Sequence, residues 1–110
     1  MGLDALKVID FAGIEKETGF VVLTIADSWE WDDEHQHLLA LQEKINSYLE
    51  YVQTEQVWEH YPDAAGQPIV INLMTKHPLP RIGLEFLKLV SDTCATLGIT
   101  IRTCHIQDHG

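Results

Sequence analysis

Apolar and polar residues alternate over the first quarter of the chain, and the alternation is broken once, at Glu15-Lys16-Glu17-Thr18-Gly19, which has the polar, glycine-closed chemistry of a hairpin loop. The spacing predicts strands over roughly 7–14 and 20–27. With Lys16 opposite Phe20 across a three-residue loop, Ile9 and Phe11 share the core face with Val21, Leu23 and Ile25. The second face then carries Val8, Ala12, Ile14, Val22 and Thr24, more apolar than a solvated face requires. Asp10 falls on that second face opposite Ala26, read either as an edge-protecting charge or as a polar point in an interface.

The period then changes from two to 3.6. Leu38, Leu41, Ile45, Tyr48, Leu49 and Val52 recur at three- and four-residue spacing, which predicts a long amphipathic helix. Asp32 or Asp33 is its natural N-cap, and Gln36 stands in capping-box position to Asp33. A short helix or turn through Glu55, Val57 and Trp58 is expected next, with Pro62 and Gly66 marking the break. Ile69 to Lys76 alternates again as a third strand. A second helix follows Pro80, its stripe running Ile82, Phe86, Leu87, Val90, Cys94 and Leu97, and Gly98 is placed to close it. Ile99 to Ile106 makes a fourth strand, with Cys104 on the face opposite Ile99 and Ile101.

The order strand, strand, helix, strand, helix, strand predicts a single α+β domain over residues 1–110, a two-layer sandwich in which two helices pack on one face of a four-stranded mixed sheet. Right-handed crossovers make the later strands parallel, and the hairpin supplies the antiparallel pair. The half-apolar second face points to a homodimer, sheet to sheet or helix-covered.

Charge narrows the partners. Seventeen acidic against seven basic residues leave a net charge of −10, and no window clusters the Lys and Arg that phosphate contacts need. Nucleic acid and anionic membrane surfaces are therefore not expected partners, whereas a basic protein would be attracted. There is no signal-like N-terminus and no apolar run long enough to span a membrane, so the expected location is cytoplasmic, with Cys94 and Cys104 as free thiols.

Candidate chemistry concentrates before the long helix, in Asp27, Glu30, Asp32, Asp33, Glu34, His35 and His37. Acids there complement a helix N-terminus. Trp29 and Trp31 interleave with them and, with Trp58, supply the aromatic anchors that binding surfaces favour. The candidate interaction surface is accordingly Trp29, Glu30, Trp31, Asp32, Asp33 and Trp58, with at least one of the tryptophans expected to fold over the end of the core. The alternative is a metal-binding protein or metal-dependent enzyme with its site on Asp27, Asp33 and His37, since Asp33 and His37 at i and i+4 share a helical face. His35 and His37 at i and i+2 do not. No nucleophile elbow, phosphate loop or metal motif is present, so no catalytic residue and no cofactor is assigned.

The stretch Val22-Leu23-Thr24-Ile25-x-Asp27, then Trp31-Asp32-Asp33, His37 and Leu41-Gln42-Glu43-Lys44-Ile45-Asn46-x-Tyr48-Leu49 resembles a family of small uncharacterised bacterial proteins known as a domain of unknown function. The resemblance covers most of the chain, including Tyr61-Pro62-Asp63 and the strand after it. It implies a bacterial cytoplasmic protein of compact α+β fold and carries no activity with it. The expectation is a non-enzymatic interaction module that self-associates and binds a basic protein partner.

Overall fold

A computed structural model describes Leu3 and residues 9–105. Its elements are β1 (Phe11–Ile14), β2 (Val21–Asp27), α1 (Glu34–Gln53), α2 (Gln56–His60), a 3-10 turn (Pro62–Ala64), β3 (Ile69–Thr75), α3 (Arg81–Thr96) and β4 (Ile99–His105). The expected fold class is the observed one. The strands form a sheet in the order β1-β2-β3-β4, antiparallel between β1 and β2 and parallel thereafter. Residues Lys7, Val8 and Ile106, included in the expected first and last strands, lie outside the described residues.

Each crossover moves one strand further in the same direction, so α1 and α3 pack on one face. That face buries Val21, Leu23 and Ile25 of β2, Ile69, Ile71 and Leu73 of β3, and Ile99 of β4. Leu41, Ile45, Tyr48 and Tyr51 of α1 and Leu87 and Cys94 of α3 meet them from the helix layer. Asp33 caps α1, its Oδ1 accepting from Gln36 N at 3.1 Å. Gly98, at φ +74°, lets the chain leave α3 in the left-handed turn that favours glycine.

The face of β1 differs from expectation. The hairpin loop holds four residues, because Glu15 N donates to Phe20 O at 2.9 Å and thereby pairs these two residues. One extra loop residue shifts the register by one and exchanges the faces of β1. Phe11 pairs with Thr24 on the face away from the helices and is exposed, whereas Ala12 and Ile14 pair with Leu23 and Val21. Phe11 is therefore not a core residue, and Ala12 and Ile14 do not belong to the second face. That second face carries Val22, Thr24, Val70, Asn72, Met74 and Arg102, with the Arg102 guanidinium reaching the Glu15 carboxylate beside the hairpin at 3.2 Å.

Asp10 is neither an edge guard nor an interface charge. It is buried under α1, where Oδ1 accepts from Lys44 Nζ at 2.8 Å and Oδ2 from Ala26 N at 3.0 Å. The β1–β2 ladder has opened at this point, and the carboxylate supplies an acceptor to the freed amide. The Tyr48 hydroxyl spans the same opening, accepting from Asp10 N and donating to the Thr24 carbonyl.

Candidate functional site

Open sheets of parallel strands joined by helices bind ligands at the carboxyl ends of their strands. Asp27 is the last residue of β2 and continues its alternation, so its side chain turns to the helix side with Ile25 and is buried. Its Oδ1 accepts from Trp29 N at 3.1 Å and holds the chain as it leaves the strand. Its Oδ2 bonds His37 Nε2 at 2.6 Å.

His37 belongs to the first turn of α1 and lies on the buried side of that helix, with a relative exposure of 1%. Its Nδ1 donates to the Glu30 carbonyl at 3.1 Å, an assignment the carbonyl enforces because it can only accept. The ring is thereby tied to the loop through Nδ1 and to the end of β2 through Nε2. Trp31 stacks on the imidazole at 3.5 Å between centroids with 14° between planes, and Trp29 approaches it tilted at 5.6 Å. On its far side Trp31 meets α3 at Gly83, where a Cβ would stand only 3.4 Å from the indole ring. Trp31 is thus wedged between His37 of α1 and Gly83 of α3, while Trp29 and Trp58 pack half-buried against the core, as expected of at least one tryptophan.

Outside this buried cluster lies a pocket of about 340 Å³ lined by Trp29, Glu30, Asp32, Asp33, Gln36 and His37. Glu30, Asp32 and Asp33 are exposed around it. Asp32 accepts from Asp33 N at 3.0 Å and Asp33 from Gln36 N, so both carboxylates are partly occupied by the helix start. None of the three is paired with Lys or Arg among the described residues, whose ion pairs are His37–Asp27, Lys44–Asp10, Arg81–Glu85 and Arg102–Glu15.

Of the expected interaction residues, Trp29, Glu30, Asp32 and Asp33 gather at the pocket and Trp31 backs it. Trp58 stands apart on α2, at the opposite end of α1, packed against the core. Of the alternative metal set, Asp27 and His37 meet, while Asp33 is turned to the helix amides; among the described residues no group of three or more His, Cys, Asp and Glu side chains is arranged to hold a metal ion. Cys94 is buried, which pushes its thiol pKa up, and Cys104 is exposed; both are free.

The sequence reading passed over Lys44. It lies three residues after Leu41 and four before Tyr48, within the buried stripe of α1, and its ammonium is fully buried against Asp10. A charge inside an apolar stripe is the signal that marks it, since a buried ammonium demands a partner.

A family model for a family of unknown function (DUF6572) matches residues 1–107, and the chain belongs to that family. No curated protein and no solved structure matches it.

Proposed function

We propose that this member of a family of unknown function is a non-enzymatic protein-interaction module that self-associates and receives a cationic side chain of a basic protein partner in the pocket between β2 and α1. The observation that carries this reading is the set of three carboxylates, Glu30, Asp32 and Asp33, standing unpaired with any Lys or Arg among the described residues around a pocket walled by Trp29. A guanidinium suits such a site twice over, by forked hydrogen bonds to carboxylates and by stacking on an indole. The net charge of −10 adds attraction that reaches about 8–10 Å at ordinary ionic strength. The bond from Asp27 and the stack of Trp31 hold the His37 ring in place at the pocket wall, which lowers the ordering required on binding.

A bacterial cytoplasmic setting accords with the two free cysteines and belongs to the same proposal. No helix among the described residues is long and apolar enough to cross a membrane.

The test is calorimetric titration with an arginine-containing basic peptide at low and high salt. Binding that weakens with salt and is lost in Glu30→Gln and Asp32→Asn supports the reading. Affinity that is indifferent to salt, or unchanged in those variants, refutes it. The metal alternative requires His37 to surrender a ring bond and Asp33 to surrender the helix cap, and zinc titration of the metal-free protein followed by tryptophan fluorescence separates the two readings.

A further inference from the structure

The inward line of α3 begins one residue later than its apolar spacing predicts. Ile82 and Leu97, expected in the buried stripe, are exposed, and the buried positions are Gly83, Leu87 and Cys94. Gly83 lies inside the helix and its φ is not positive, so no turn calls for glycine there, although glycine makes a helix interior less stable than alanine does. The reason lies in the space outside it. A Cβ at this position would meet Leu79 Cδ2 at 3.3 Å, Trp31 Cη2 at 3.4 Å and Pro80 Cδ at 3.5 Å. Leu79 and Pro80 are the lead-in to α3 itself, whereas Trp31 comes from the loop before α1. A single methyl group would sit at close contact, and any longer side chain would have to displace the indole or Leu79.

Trp31 carries a mark of its own. Its Nε1–H is buried with no hydrogen-bond partner. A buried N–H left unpaired is costly, so a phenyl ring would be the easier occupant. What the indole adds is breadth: it stacks on His37 at 3.5 Å between centroids while Cη2, at the outer edge of its six-membered ring, reaches Gly83. Beyond the stack, the His37 ring bonds the Glu30 carbonyl and the Asp27 carboxylate, and the Trp29 ring leans on it at 5.6 Å. His37, Glu30 and Trp29 all line the pocket between β2 and α1.

We infer that Gly83 and Trp31 are positioning residues of this pocket: the missing side chain at 83 sets where the indole lies, and the indole sets where His37, Trp29 and Glu30 stand. The inference rests on the pocket being the binding site of the proposed reading and deepens it by placing a determinant of its affinity on α3. Every step from Gly83 to the pocket is a packing contact, a ring contact or a hydrogen bond, the physical form in which such an influence travels.

Calorimetric titration of the full chain with the arginine-containing basic peptide tests it, at a temperature where each variant is folded by circular dichroism. Gly83→Leu and Trp31→Phe each raise the dissociation constant, roughly 3- to 30-fold. Trp31→Phe adds no volume and stands as the test where Gly83→Leu does not fold. The double variant loses little more affinity than the weaker-binding single one, because both act through one contact. Cys94→Ala, a core truncation near the far end of the same helix, lowers the urea midpoint and leaves the affinity unchanged. A purely structural role would instead make affinity follow stability in all of them. Amide and indole NMR spectra add a readout that needs no peptide: Gly83→Leu moves the resonances of Trp29, Glu30 and His37, and Cys94→Ala does not. A wild type that fails to bind the peptide overturns the pocket reading, and the spectra then decide the positioning by themselves. Wild-type affinity in Gly83→Leu or Trp31→Phe, additive losses in the double variant, or spectral shifts that stop at Trp31 overturn the inference and leave the pocket reading standing.

Discussion

Replacing Asp27 in two ways separates the hydrogen bonds it makes from the charge it carries. In Asp27→Ala, Trp29 N–H and the Nε2 side of His37 both lose a partner inside the protein. Each orphaned group costs about 1–3 kcal/mol, together about 2–6 kcal/mol. That is a large share of the roughly 5–15 kcal/mol by which a domain of this size is stable. In Asp27→Asn the amide oxygen still accepts from Trp29 N. The amide N–H supplies the proton for Nε2, while Nδ1 goes on donating to the Glu30 carbonyl. All three bonds survive, and only the charge assistance is lost, about 1 kcal/mol. Urea unfolding followed by tryptophan fluorescence reads the difference, because Trp31 lies on the imidazole. With a common slope of about 1–3 kcal/mol per molar urea, the midpoint falls at least about twice as far in the alanine variant as in the asparagine variant. Equal losses in the two variants would refute the bonding scheme drawn for His37.

Three further outcomes are expected. Burial raises the pKa of the Tyr48 phenol, so its contribution to stability is present below the ordinary phenol range near pH 10 and lost as pH rises above it; its phenolate absorbance appears only together with loss of circular dichroism. Tyr48→Phe abolishes that component and, at neutral pH, costs about 1–3 kcal/mol because Asp10 N–H and the Thr24 carbonyl lose their shared partner. Glu55 ends α1 in the left-handed region at φ 65°, a strained position for a side chain, so Glu55→Gly is expected to raise the melting temperature by a few degrees, about 1 kcal/mol or less. Asp33→Ala removes the cap on Gln36 N and costs about 1 kcal/mol in thermal melts; no loss would place the start of α1 elsewhere.

Much of the candidate site is legible in the sequence because it is local. Asp33, Gln36 and the acids before α1 are helix-start chemistry, confined to a few neighbouring residues, and the aromatic residues interleaved with them gather at the same strand end. What joins Asp27 to His37 is less local: a carboxylate at a strand end and an imidazole one turn into a helix meet only because the loop between them folds back. Trp31 is a sharper case. Its place between His37 and Gly83 depends on α3, which begins some fifty residues later, and no spacing near Trp31 encodes that neighbour.

By itself the sequence determined the element order, the caps and the inward residues of β2, β3 and β4, because hydrophobic period and turn chemistry act over a few residues at a time. It also determined that the surface is acidic. Tertiary structure decided the face of β1, since one residue more or less in a hairpin loop reverses a strand and both loops share the same glycine-closed composition. It decided the fate of Lys44 and Asp10 as well. Whether a charge can stay inside a core depends on what stands opposite it, and for these two the partner lies 34 residues away, beyond the reach of any local pattern.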